Sequence, residues 1–150
     1  MADDDGDGTM SIASGARVTT PGSEEPAPIP LVLLVEDRPD IRSLLSEYVL
    51  SRGSVPMPAA GGAHAEVVCQ TFAPDLVLID LSLTDTDGAA LVRRIKARCP
   101  GVSIAVCTWP DPEREARYRA EGADEIVAKP LDLALLERAL NRLASWPRPA

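Results

Sequence analysis

From residue 31 onward, short unbroken apolar runs alternate with helix-like segments, and this alternation leaves the chain few architectures. Leu31-Val32-Leu33-Leu34-Val35 and Leu76-Val77-Leu78-Ile79 are continuous apolar stretches, and Val102 to Val106 reads as a third buried strand. Strands covered on both faces read this way, whereas a half-solvated strand alternates apolar and polar residues. After the first run, Ile41, Leu44, Leu45, Tyr48 and Val49 repeat at helical spacing, with Pro39 near the start and Gly53 past the end, the usual helix punctuation. Helical patterns recur over 63–72 and 89–98. Asp111-Pro112 supplies an N-cap and a first-turn proline for another helix, and Asp132 caps a last one with Leu136, Ala139, Leu140 and Leu143 on one face. Ile126-Val127-Ala128 reads as a short strand. Val55-Pro56-Met57-Pro58-Ala59 is extended, but proline cannot donate to a ladder, so this strand belongs at a sheet edge.

Five strands alternating with five helices predict an α/β fold: a doubly wound parallel sheet with helices on both faces and right-handed crossovers. With the double-proline strand at the edge, the strand order is the flavodoxin-like 2-1-3-4-5, and ligands are expected at the carboxyl ends of the strands, near the point where the order reverses. The core must be aliphatic, because 45% of the 150 residues are apolar but only 3% aromatic. A net charge of −8 argues against nucleic acid as a partner. The three cysteines form no Cys-x-x-Cys pair and are expected to be buried free thiols in a reducing compartment. No apolar run approaches the ~18 residues of a membrane span. The acidic start Met1-Ala2-Asp3-Asp4-Asp5 is unlike a signal peptide. A cytoplasmic location without membrane contact is therefore expected. Residues 1–30 hold six acids, one base and no apolar period, which predicts a disordered tail ahead of a folded domain at 31–146.

The predicted strand ends carry a chemical pattern. The first ends in Glu36-Asp37, the second long strand in Asp80, the third in Thr108, and the last is followed by Lys129-Pro130. Carboxylates gathered on one rim repel each other by several kcal/mol at about 4 Å in a partly screened site. A proton or a cation must offset that repulsion. Oxygen ligands without histidine or thiolate suit a hard cation such as Mg²⁺. A metal, an ammonium and a hydroxyl together could hold the oxygens of a phosphoryl group.

These residues also carry a family likeness. Leu33-Leu34-Val35-Glu36-Asp37, Pro74-Asp75-Leu76-Val77-Leu78-Ile79-Asp80-Leu81, Asp87-Gly88 and Gly122-Ala123-Asp124-Glu125-Ile126-Val127-Ala128-Lys129-Pro130 resemble, in order and spacing, the receiver domain of two-component response regulators. The resemblance covers about residues 31–145. It implies that Asp80 accepts a phosphoryl group from a phosphohistidine on a histidine kinase or phosphotransfer protein. It implies Mg²⁺ bound with help from Glu36, with Asp37, Asp80 and the Ser82 carbonyl as direct ligands. Lys129 would pair with the acyl phosphate, and Thr108 would hydrogen-bond the phosphoryl group. The sequence departs from the family at Ile126, where an aromatic switch residue is usual, at Trp109, where a small residue is common, and at Thr84, which replaces a common proline. Ser82 and Pro110 stand where the family tunes phosphoryl lifetime.

Other readings are weaker. Asp80-Leu81-Ser82-Leu83-Thr84 resembles the Asp-x-Asp-x-Thr of haloacid dehalogenase-type phosphatases only superficially, because Ser82 replaces the second aspartate. His64, at a helix start, is expected to be solvated and Asp87-Gly88 to make a turn, while the highly charged helix at 112–121 reads either as a solvated helix or as a weakly anchored element that shifts on phosphorylation. The sequence leads to a stand-alone receiver, not an enzyme with a separate substrate, whose output passes by contact to a downstream protein. The alternative is a non-phosphorylated interaction module that keeps the fold, favoured by Ile126 and Trp109.

Overall fold

Each apolar run is a strand, and each periodic segment a helix. The computed structural model describes residues 28–81 and 85–147, so the expectation for the N-terminal tail lies almost wholly outside the described residues. The elements are β1 (Leu31–Val35), α1 (Pro39–Ser51), β2 (Val55–Ala59), α2 (Gly62–Phe72), β3 (Leu76–Asp80), α3 (Gly88–Arg98), β4 (Ser103–Thr108), α4 (Pro112–Glu121), β5 (Glu125–Ala128) and α5 (Leu133–Asn141). All neighbouring strands are parallel, in the order β2-β1-β3-β4-β5, the predicted flavodoxin-like arrangement. The expected strand at Val102–Val106 is displaced and runs to Thr108, and β3 includes Asp80. The ladder pairs Asp80 with Cys107, so hydrogen bonding continues past the apolar runs that marked these strands.

The edge position of β2 has a visible backbone logic. The Val55 N–H donates to the Pro30 carbonyl and the Ala59 carbonyl accepts from the Glu36 N–H. Odd-numbered residues of β2 therefore face β1. Pro56 and Pro58 fall on the outer side, where an N–H would invite a further strand, and their rings remove that donor.

Alternate residues of the central strands serve opposite layers. Leu33, Val35, Val77, Ile79, Ile104 and Val106 pack beneath α2, α3 and α4. Val32, Leu34, Leu76, Leu78, Ala105 and Cys107 pack beneath α1 and α5. Leu33, Leu34, Leu76 and Ile79 are fully buried, each contributing roughly 1.5–3 kcal/mol relative to exposure. The second layer is closed by Trp146, which the sequence reading left unassigned. Its ring stacks on Tyr48 of α1 with centroids 5.7 Å apart.

The caps are those expected. Asp111 accepts from the N–H groups of Glu113 and Arg114, and Asp132 from those of Ala134 and Leu135. Tyr118 is the one buried residue of α4. His64 is exposed.

One expectation needs correction: Cys69 and Cys107 are buried, but Cys99 is only half-buried, because it stands at the C-cap of α3, where the helix end meets solvent. Burial pushes the thiols of Cys69 and Cys107 up to about 12, and the thiolate is the reactive form. Iodoacetamide at neutral pH is expected to label Cys99 alone in the native protein and all three cysteines after unfolding. Rapid native labelling of Cys69 or Cys107 would contradict this packing.

Candidate functional site

The strand order places the chemistry. β1, β3, β4 and β5 are consecutive in the sheet, so residues at their carboxyl ends share one rim. Glu36 continues β1 by its N–H bond to Ala59, 3.0 Å. Asp80 closes β3 and Thr108 closes β4, whose register partner on β5 is Ala128, the residue before Lys129. The alternation that builds the two cores thus also delivers these side chains.

Three of the five predicted rim residues form one cluster. Glu36, Asp37 and Asp80 each offer a carboxylate oxygen, and these atoms lie within 4.8 Å of one another. Lys129 joins them, its Nζ donating to Asp80 Oδ1. Glu36 is 1% exposed and accepts from the Arg38 N–H at 3.0 Å. Its carboxyl is pushed up to about 8, first by burial and then by its hydrogen bond to Asp80 and the nearby Asp80 charge. The acid cluster is thus more crowded with negative charge than one lysine offsets. Asp37 Oδ1 is buried without a hydrogen-bond partner, an acceptor facing no donor. An all-oxygen donor set with an orphaned acceptor fits a hard divalent cation.

Thr108 is buried beside Asp80's ladder partner, and its hydroxyl donates to the Trp109 carbonyl at 3.3 Å. Ile126 is half-buried and packs on the core layer beneath α3 and α4. By strand alternation Thr108 lies on the same face as Val106, the residue that pairs with Ile126. Trp109 is 60% exposed. It borders a cavity of about 330 Å³ whose walls include Asp80, Lys129, Ile41 and Leu131. Pro110 is exposed. Ser82 and Thr84 lie outside the described residues.

Sequence reasoning missed two supports. Asp85 accepts from the N–H groups of Gly62 (3.0 Å) and Ala63 (3.3 Å), capping α2 from the β3–α3 connection. Those bonds hold its carboxyl below the usual range. The Gly61-Gly62 pair was the available signal. A Cβ on Gly62 would sit 2.4 Å from Thr86 Cγ2, so glycine is what lets that connection approach. Arg42 is the other: its guanidinium donates to the carbonyls of Glu36 (3.0 Å) and Asp37 (3.5 Å). No short motif announces that contact. Asp87, predicted only to make a turn, caps α3 and also pairs with Arg117 of α4 at 3.0 Å.

A parallel 2-1-3-4-5 sheet with an acid cluster and a lysine at its switch point defines a class, the CheY-like signalling domains. The chain belongs to the response regulator receiver domain family, whose model matches residues 32–141. Receiver domains are signalling domains of two-component systems, interact with histidine kinases and effectors, and are not conventional enzymes. The family generally binds Mg²⁺ at an acidic pocket. Among curated proteins, the TorCAD operon transcriptional regulatory protein TorR of Escherichia coli K12 is 32% identical over 114 residues, 75% of this chain and 49% of that protein. The gliding motility regulatory protein of Myxococcus xanthus is 33% identical over 138 residues, 88% of this chain and 18% of that protein. The chain therefore spans about half the length of these relatives or less. Among solved structures, a response regulator receiver protein from Pseudomonas putida is 30% identical with a TM-score of 0.70, covering 78% of this chain and 99% of that one. The chemotaxis protein CheY4 of Vibrio cholerae shares the fold at a TM-score of 0.71 and 24% identity, over 77% of this chain and 98% of that one. Among the described residues, no helix is long and apolar enough to cross a membrane.

Proposed function

We propose that this chain is a cytoplasmic phosphoacceptor, with its receiver unit at 31–146, in which Asp80 takes a phosphoryl group from a phosphohistidine of a sensor kinase or phosphotransfer protein and relays the signal by protein contact. The observation that carries this reading is the cluster itself: Glu36, Asp37 and Asp80 within 4.8 Å, with the Lys129 ammonium on Asp80. Glu36, Asp37, Asp80 and the Ser82 carbonyl would hold Mg²⁺, which when bound offsets the charge of the carboxylates and of the incoming phosphoryl group.

The chain's own residues do the rest. An Asp80 carboxylate oxygen attacks phosphorus, the new O–P bond forms as the N–P bond to imidazole breaks, and the imidazole departs with the bonding electron pair. Lys129 transfers its contact from the carboxylate to a phosphoryl oxygen. The Thr108 hydroxyl exchanges the Trp109 carbonyl for a phosphoryl oxygen. Phosphorylation adds roughly −1.5 to −2 charges at the rim, enough to bias a two-state loop and helix arrangement.

The second reading, an interaction module that works without phosphorylation, draws on Ile126. An aliphatic side chain packed on the core offers no ring to flip with Thr108. Incubation with Mg²⁺ and phosphoramidate separates the two. The phosphoacceptor gains one phosphoryl mass, and gains none when Mg²⁺ is chelated beforehand. A chain that gains none, and whose partner binding ignores the phosphodonor, is the module instead.

A further inference from the structure

The rim contains a basic residue whose side chain touches the backbone of two cluster members at once. Arg42 is half-buried on the first turns of α1, and its Nη1 donates to the carbonyls of both Glu36 and Asp37. Arg38, one turn earlier, contrasts with it: its guanidinium pairs with Asp40 at 3.1 Å, both side chains about two-thirds exposed, an ion pair of the kind worth little. Arg42 is itself tied down, its carbonyl accepting from the Ser46 hydroxyl at 2.8 Å.

We propose that Arg42 is a positioning residue for the divalent cation: by clamping the two carbonyls of the β1–α1 turn, it fixes the directions in which Glu36 and Asp37 present their carboxylates. This rests on the Mg²⁺ reading of the cluster given above. The ladder to β2 holds the turn only as far as the Glu36 N–H. Beyond it, the chain must reverse into α1 while keeping the Glu36 carboxylate on the Arg38 N–H. A rotation of either peptide in that turn swings both side chains. A guanidinium suits the task because its donors lie in a rigid planar fork, unlike the single point charge of lysine. Groups that orient ligands without touching the metal commonly govern its affinity.

The sign of the effect separates this role from simple electrostatics. A cation beside a metal site repels the metal, so if Arg42 acted through its charge alone, removing it would tighten Mg²⁺ binding. If it acts by orienting the turn, removal weakens binding. The experiment is an equilibrium Mg²⁺ titration by isothermal calorimetry, run beside the rate of phosphorylation by phosphoramidate followed by intact mass against Mg²⁺ concentration, for the full chain and for Arg42→Ala and Arg42→Lys; both report the half-saturating concentration. The expected result is a half-saturating Mg²⁺ concentration raised about 10-fold in Arg42→Ala, with the rate at saturating Mg²⁺ within about twofold of wild type. Arg42→Lys, which keeps the charge and loses the fork, shifts in the same direction, and it carries the test alone if Arg42→Ala does not fold. An unchanged or lowered half-saturation in the folded variants, or a fall in the saturated rate without a shift in half-saturation, overturns the proposal. If the wild type itself takes up no phosphoryl group, the reading of the site falls and the role of Arg42 with it. If the wild type reacts and the variants match it, the role of Arg42 falls alone.

Discussion

Asp80→Asn will gain no phosphoryl mass from phosphoramidate and Mg²⁺ under conditions in which the wild-type chain gains one. The substitution keeps shape and volume, and the residue is 9% exposed at the end of a fully paired strand, so the fold is expected to persist. What changes is chemical. An amide oxygen carries no formal charge and is a poor nucleophile, and it forms no ion pair with Lys129 to replace the one now present. Glu36 and Asp37 do not take over. Glu36 is 1% exposed, too deeply buried to meet an incoming phosphodonor. Asp37 stands in the turn after β1, whereas Asp80 holds the Lys129 ammonium that passes to an incoming phosphoryl oxygen. The effect is a loss of the modified species to background, read by intact mass. A phosphoryl mass retained by Asp80→Asn and mapped to another carboxylate would sink the assignment of Asp80 and leave the cluster without a designated acceptor.

Much of this was legible because burial writes itself plainly. An aliphatic run such as Leu76–Ile79 can satisfy only a two-sided environment, and the paired prolines of Val55–Ala59 can satisfy only an edge. Together they settle the sheet order, and the order carries Glu36, Asp37, Asp80 and Lys129 to one rim before any contact is known. What stayed hidden depends on contacts between residues far apart or on backbone atoms. Asp85 caps a helix 23 residues earlier in the chain, and an aspartate in a loop has many other uses. Arg42 acts on carbonyls, which every residue possesses, so its side chain type alone names no target. Trp146 closes a core layer from beyond the last helix, where the periodic signal has already ended. The half-exposure of Cys99 follows from where α3 stops, and helix ends are the least determined part of a periodic pattern.

Metal-free protein will lose stability as the pH rises from about 4.5 to about 8, and Mg²⁺ will flatten that decline. The carboxyl of Glu36 is raised from 4.5 to about 8 in the folded chain, by burial first and by Asp80 second. Across that window the folded state holds a proton that the unfolded state has released. Stability falls with pH wherever the folded state binds more protons. The contribution is therefore complete below the unfolded value and lost as pH passes through the folded one, at up to about 1.4 kcal/mol per pH unit. Glu137 is also raised by burial, but it pairs with Arg52 at the far end of α1, where Mg²⁺ at the rim cannot reach it. Asp85 is lowered and acts only at more acid pH. The difference between unfolding curves in chelator and in Mg²⁺ thus isolates the rim. A cation among the carboxylates favours their ionised forms, so Glu36 gives up its proton and the slope with it. Glu36→Gln, neutral at every pH, should show the same flattening without metal. Denaturant unfolding at several pH values decides the matter: stability that stays level or climbs from pH 4.5 to 8 in chelator would mean the acids at this rim are not held against their charge.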